Sequence, residues 1–370
     1  MKKNGINWSG ILMILVGVGG GMLASLALTT TNLITEEDSL ASMSLKIVLL
    51  FVAFFIATYI QVVIHESGHL VAGLISGYHF VSFRIGQLMM SRGKDGKIAL
   101  SRYSLAGTAG QCIMGPPDYS PEFKTTLYNY GGVIANLIAA VICGILYFLI
   151  PVTYLKLFNF VMAVSGLMNA ILNGVPMVTA TVANDGYNEK EVHNNEMARK
   201  AFWAQLKYTE LLTEGKAPEE MPAALFEFEP VKDNLVINSS YIMKINSFMN
   251  SKQYRKCRKL MEDFLKEDYK VNPLHKQMLE TDLLFCRLID GEEVSYDYNG
   301  MTDFFARNKT ALNVIRTQYA YEKLVMQNVP MADAMMKRFE KNAARYPFAR
   351  DVETERGLIA LADSKVYNKK

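Results

Sequence analysis

An apolar run interrupted by three ionisable side chains constrains this chain more than any other feature. Residues 45–64 are apolar or aromatic except for Lys46, Thr58 and Gln61, and the run resumes at Leu70-Val71-Ala72-Gly73-Leu74-Ile75. Between the two halves lies His65-Glu66-Ser67-Gly68-His69. A stretch this long and apolar predicts a bilayer-crossing helix, the form that satisfies its own backbone polar groups. On a helix, positions i and i+4 share a face, so both imidazoles can reach one zinc ion. Glu66, beside the first histidine, is placed to take a proton from water activated there. Ionisable groups inside a membrane span are costly and therefore point to function. The expectation is a zinc protease that cuts within or near the membrane. The blander alternative is a pair of helix histidines hydrogen-bonded to their neighbours, with Glu66 as partner.

The 370 residues allow two domains. Nearly all long apolar runs precede residue 180, and the remainder is charged and helix-like. The expected division is a transmembrane zinc protease domain over 1–187 and a soluble cytoplasmic helical domain over 188–370. A net charge of +3 gives no support for a nucleic-acid partner. Cys112, Cys143, Cys257 and Cys286 contain no C-x-x-C pair, so neither a disulfide framework nor a cysteine metal site is suggested.

Four segments approach or exceed the ~20 residues that a span needs: roughly 8–30, 44–76, 125–150 and 152–178. The first is read as a retained span, with Gly17, Gly19, Gly20 and Gly21 forming a flat packing face. Lys2 and Lys3 place the N-terminus inside, and Glu36, Glu37 and Asp38 suit an outside loop. Arg84, Arg92, Lys94, Lys97, Arg102 and Lys124 return the next segment to the cytoplasm. Spans three and four then form a hairpin turning at Pro151. The expected product is a multi-pass protein of the bacterial cytoplasmic membrane with a cytoplasmic C-terminal domain.

Catalytic zinc takes three protein ligands and keeps a position open for water. The stronger candidate for the third is Asp185, in Asn184-Asp185-Gly186 just past span four, at the membrane depth of the two histidines. His79, ten residues beyond His69, stays open as the alternative. His275 reads as a surface residue of the soluble part.

Over about residues 45–190 the chain resembles the site-2 protease family of intramembrane zinc metalloproteases. The resemblance rests on His65-Glu66-Ser67-Gly68-His69, on Gly131-Gly132-Val133-Ile134-Ala135-Asn136, and on Asn173-Gly174-Val175-Pro176 followed by Asn184-Asp185-Gly186. It implies that His65, His69 and Asp185 bind zinc and that Glu66 is the general base. It also implies that Asn136 helps to hold the substrate strand or polarise its carbonyl. One departure from the family pattern is the insertion Met177 to Asn184 between the proline and Asp185. It is small and polar and is expected to loop out without displacing Asp185.

Lys94-Asp95-Gly96 signals a turn between strand-like 80–85 and 97–100, which predicts a small β-hairpin at the cytoplasmic face. Its edge either holds an unwound substrate extended or is a plain connection. Gly107 to Gln111 and Pro116-Pro117 read as a flexible stretch. From 188 onward, helical pairs over 241–268 with 273–290 and over 309–327 with 330–345 suggest either a tetratricopeptide-like array that binds a peptide or protein, or a helical cap. The expected fold is thus mainly α: a polytopic helical membrane bundle with a β-hairpin insertion and an all-helical C-terminal domain. The expected substrate is a transmembrane protein or a signal-peptide remnant within the lipid bilayer. Two rival readings are a membrane-anchored zincin with a cytoplasmic active site and a non-catalytic scaffold that recruits partners through the C-terminal domain.

Overall fold

The computed structural model describes residues 8–30, 33–35, 37–104, 107–179, 182–295 and 300–365. Lys2, Lys3 and Glu36, used above for orientation, lie outside them. The chain forms two compact units.

The first unit comprises the residues up to Gly77, Lys124–Thr179 and Ala183–Lys190. Its helices are α1 (Trp8–Thr30), α2 (Leu40–Ile75), α3 (Thr126–Leu149), α4 (Thr153–Gly174) and the start of α5 (Asp185–Val192). Among the described residues, α2, α3 and α4 are each long and apolar enough to cross a membrane. These correspond to the second to fourth expected spans, and α1 coincides with the first. Of the four glycines expected to form that face, only Gly20 has a close neighbour: a Cβ there would lie 2.9 Å from Met168 Sδ, whereas Gly17, Gly19 and Gly21 face open space. The flat four-glycine face is therefore a single contact point.

The 36 residues of α2 extend about 54 Å at 1.5 Å per residue, well beyond a ~30 Å hydrocarbon core. Ser39 caps its start by accepting from Ser42 N, and Gly77 (φ +82°) ends the turn that follows it. The burial pattern inverts that of a soluble helix. Phe55 is 69% and Ile75 71% exposed, while Gln61, His65, Glu66 and His69 are buried. Such an apolar exterior suits lipid, and the polar groups face the bundle, where partners are available. The helices approach closely at Gly68 and Gly131: a Cβ on Gly68 would come within 2.3 Å of the Gly131 carbonyl oxygen. Close backbone approach at small residues is the usual means of packing membrane helices.

The second unit comprises Tyr78–Phe123, Ala180–Val182 and Glu191 onward. In place of the expected hairpin there is a four-stranded antiparallel sheet in the order β3-β2-β1-β4. Its strands are β1 (His79–Ile85), β2 (Leu88–Arg92), β3 (Ile98–Arg102) and β4 (Gly110–Gly115). The Lys94-Asp95-Gly96 turn joins β2 to β3, with Gly96 at φ +75°, and the 80–85 segment pairs instead with β2 and β4. Gly86 at φ +57° makes a two-residue turn that the sequence reading passed over. The stretch expected to be flexible contains β4, whose flanking glycines read as a loop until β1 supplies hydrogen bonds along Phe83↔Cys112 and its neighbours.

The C-terminal helices are α6 (Glu196–Thr213), α7 (Leu235–Asn250), α8 (Tyr254–Lys266), α9 (Pro273–Ile289), α10 (Met301–Arg307), α11 (Leu312–Tyr321), α12 (Val329–Ala343) and α13 (Ala349–Asp363). The expected helix over 241–268 is two helices, broken at Lys252, whose φ of +60° is incompatible with a continuing α-helix. α11 packs against α9, α12 and α13. At its centre Arg316, 1% exposed, pairs with Asp282 at 2.6 Å and Glu355 at 3.3 Å and lies over the Phe285 ring.

Candidate metal centre

Gln61, His65 and His69 recur every four residues and so share one face of α2, turned into the first unit. His65 and His69 meet Asp185, the first residue of α5. His65 Nε2 lies 2.9 Å and His69 Nε2 3.3 Å from Asp185 Oδ2, and the two Nε2 atoms are 3.1 Å apart. Glu66 is buried beside them on α2.

The proton positions on the two imidazoles follow from their other nitrogens. His65 Nδ1 donates to Asn136 Oδ1 at 2.7 Å, and His69 Nδ1 donates to the Tyr128 carbonyl oxygen at 2.7 Å. Each Nδ1 therefore carries hydrogen, and each Nε2 of the neutral ring presents a lone pair. Two lone pairs and a carboxylate oxygen pointed at one another repel unless a cation sits among them. Donors ~2.0–2.1 Å from one tetrahedral zinc lie about 3.3 Å from each other, close to the separations seen here. Histidines that bind metal through one nitrogen generally donate the other N–H to a carbonyl or carboxylate. The donor set fits zinc.

Three features bring Asp185 to the histidines. Asn184 caps α5 by accepting from Tyr187 N at 2.9 Å and also accepts from Met177 N at 3.1 Å. Its amide donates to the carbonyls of Leu172 at 2.7 Å and Val175 at 2.6 Å, which ties α5 to the end of α4. The ends of the insertion pair through a bridge between Val178 and Ala183; Ala180 and Thr181 lie outside the described residues. Glu189, one turn into α5, accepts from Thr125 Oγ1 (2.9 Å), Thr126 Oγ1 (2.5 Å) and Asn129 Nδ2 (2.9 Å) at the start of α3. A carboxylate at a helix N-terminus is also favoured by the helix dipole.

Two glycines make room for this arrangement. A Cβ on Gly132 would come within 2.5–2.6 Å of three His65 ring atoms, and one on Gly186 within 2.1 Å of the Gly174 carbonyl oxygen. The Gly131-Gly132 pair thus serves both helix approach and the His65 pocket.

His79, the other candidate third ligand, is not in the cluster found among the described residues. It sits on β1, with Nε2 3.1 Å from Glu210 Oε1. His275 is half-buried rather than a surface residue: its Nδ1 is 3.2 Å from Ser239 Oγ, and burial lowers its pKa. Asn136, expected to hold substrate, is 0% exposed, and its amide is engaged by His65 on one side and Gln61 on the other. The contacts of Asn184, Glu189 and Gln61 are not expected from the sequence. The legible signals were a polar residue one turn before His65 in an apolar span, and an asparagine in the helix-cap position before Asp185.

A model of peptidase family M50 matches residues 53–345, more than half of the chain. The chain belongs to peptidase family M50. This is the site-2 protease family anticipated from the motifs, a family of membrane-embedded zinc metalloproteases. No curated protein and no solved structure matches the chain. The matched segment of this M50 peptidase includes His65, His69 and Asp185.

Proposed function

We propose that this M50 peptidase hydrolyses a peptide bond within or near the membrane-spanning segment of a substrate protein or signal-peptide remnant. The observation that carries the proposal is the convergence of His65 and His69, on a helix whose outer surface suits lipid, with Asp185 at the start of α5. The two Nε2 atoms and Asp185 Oδ2 would hold zinc, with Asn136 and the Tyr128 carbonyl fixing both rings. When bound, the ion supplies Lewis acidity toward the scissile carbonyl and acidifies water. The Glu66 carboxylate takes a proton from the attacking water and delivers it to the leaving amine nitrogen. A peptide bond in a helix hides its carbonyl in the hydrogen-bond ladder, so the substrate must be unwound before it is cut. The C-terminal helices would engage a peptide or protein partner.

The test is zinc content together with cleavage of a model membrane substrate, for wild type, Glu66→Gln and Asp185→Ala. Wild type should hold about one zinc per chain, the three-ligand stoichiometry, and cut. Glu66→Gln should keep the zinc and stop cutting, and Asp185→Ala should lose metal. Absence of zinc in wild type, or unimpaired cleavage by Glu66→Gln, would replace the protease with the non-catalytic scaffold.

A further inference from the structure

A chain of hydrogen bonds behind His65 crosses three membrane helices and ends on main-chain carbonyls. Gln61 Nε2 on α2 donates to the Met162 carbonyl oxygen on α4 at 2.9 Å. A carbonyl oxygen only accepts, so this contact requires the nitrogen of the Gln61 amide there and turns Oε1 the other way. Oε1 accepts from Asn136 Nδ2 on α3 at 2.8 Å, and the Gln61 carbonyl oxygen accepts from the same nitrogen at 2.9 Å. Asn136 must then present Oδ1 to His65, and His65 must carry its hydrogen on Nδ1. We propose that Gln61 is a positioning residue for the metal site: it fixes the orientation of the Asn136 amide and thereby the tautomer of His65 whose Nε2 is free to bind metal. This inference rests on the metal reading above and adds to it a residue two contacts removed from the ligand.

The relay is a built feature. Gln61 and Asn136 are both 0% exposed. Gly166 on α4 leaves the space they occupy, since a Cβ there would lie 2.9 Å from Gln61 Nε2 and 3.0 Å from the Asn136 carbonyl oxygen. Polar groups at this depth are costly unless satisfied, and their satisfaction removes the two-fold ambiguity of each amide. A flipped Asn136 would offer Nδ2 to His65, which favours hydrogen on Nε2 and blocks that nitrogen as a ligand. Hydrogen bonds of this kind behind a metal ligand typically control affinity by 10–100-fold.

The experiment uses the full chain in lipid nanodiscs, with zinc affinity from chelator competition and the metal-free His65 tautomer from 15N-histidine NMR. Wild type should show His65 with hydrogen on Nδ1. Gln61→Met, close in size, loses Oε1 and the donor to Met162 and leaves only the main-chain carbonyl to hold Asn136 Nδ2, so it should bind zinc roughly 10-fold more weakly and populate part of the Nε2–H form. Gln61→Glu in its protonated form can donate its O–H to Met162 and accept from Asn136, so it should restore both readouts at a pH that keeps it neutral. Thr58→Val, on the same helix outside the relay, should match wild type. The inference is overturned if Gln61→Met binds zinc like wild type. It is equally overturned if affinity falls while His65 keeps the wild-type tautomer, because packing alone would then explain the loss. Should Gln61→Met fail to fold, the wild-type tautomer still decides: hydrogen on Nε2 overturns the relay. A wild type that takes up no zinc removes the metal reading, while the tautomer comparison continues to test the relay.

Discussion

At the scale of single residues, the candidate metal centre depends as much on absent side chains as on present ones. Gly132 faces the His65 ring so closely that one methyl group would overlap three of its atoms. The ring cannot retreat without losing its bond to Asn136. Gly132→Ala is therefore expected to cut zinc occupancy and cleavage at least ~10-fold, the scale of lost support behind a metal ligand. Gly144→Ala on the same helix, with open space around it, should leave both unchanged. Metal content and turnover measured on the two variants side by side check the difference. The histidine pair and Glu66 were legible in the sequence because i, i+4 spacing needs only one helix. Asn136 was legible as a residue of interest but not for its contacts, since a resemblance carries no hydrogen-bond partners.

At the scale of elements, the third member of the candidate site, Asp185, is delivered by a short helix whose entry is stapled. Asn184 joins the end of α4, the folded-back insertion and the first turn of α5 through four side-chain hydrogen bonds. Asn184→Ala removes all four and should weaken zinc binding by roughly 10–100-fold through displacement of Asp185. The cap loss and unsatisfied carbonyls should also lower stability by about 1–3 kcal/mol. Asn184→Asp keeps the two accepted bonds and loses the two donated ones, so its zinc affinity should fall between the other two. Chelator competition on the three proteins gives the order. The insertion ahead of Asp185 was visible as a departure from the family pattern, but its closure through Val178 and Ala183 was not, because a single bridge leaves no periodic signal. The sheet shows the same limit. Its turn at Lys94-Asp95-Gly96 was read correctly, yet the strand partners were misassigned, since pairing between strands is non-local.

At the scale of the whole molecule, the second unit carries a pH liability that follows from its core. Burial raises the Asp351 carboxyl to about 7 from 3.8; Tyr103, Tyr208 and Tyr346 lie near enough to feel its charge. Burial raises Glu355 to about 7 from 4.5, against the opposing pull of Arg316. Between about pH 4 and pH 7 the unfolded chain releases these protons while the folded one holds them, so stability falls as pH rises and levels off above that window. Each group contributes at most ~1.4 kcal/mol per pH unit. Asp351→Asn should flatten the slope over that range, as denaturant unfolding followed by fluorescence of Trp203 on α6 would show. The sequence by itself determined that the chain suits a membrane, that α2 carries a histidine pair spaced for one metal ion, and that a helical region follows, because hydropathy and helical spacing are local properties. Only the tertiary structure decided that Asp185 rather than His79 joins the histidines, that Gln61 and Asn136 stand behind His65, and that β4 completes a sheet. Those outcomes depend on which distant segments meet, and a linear pattern does not encode such distances.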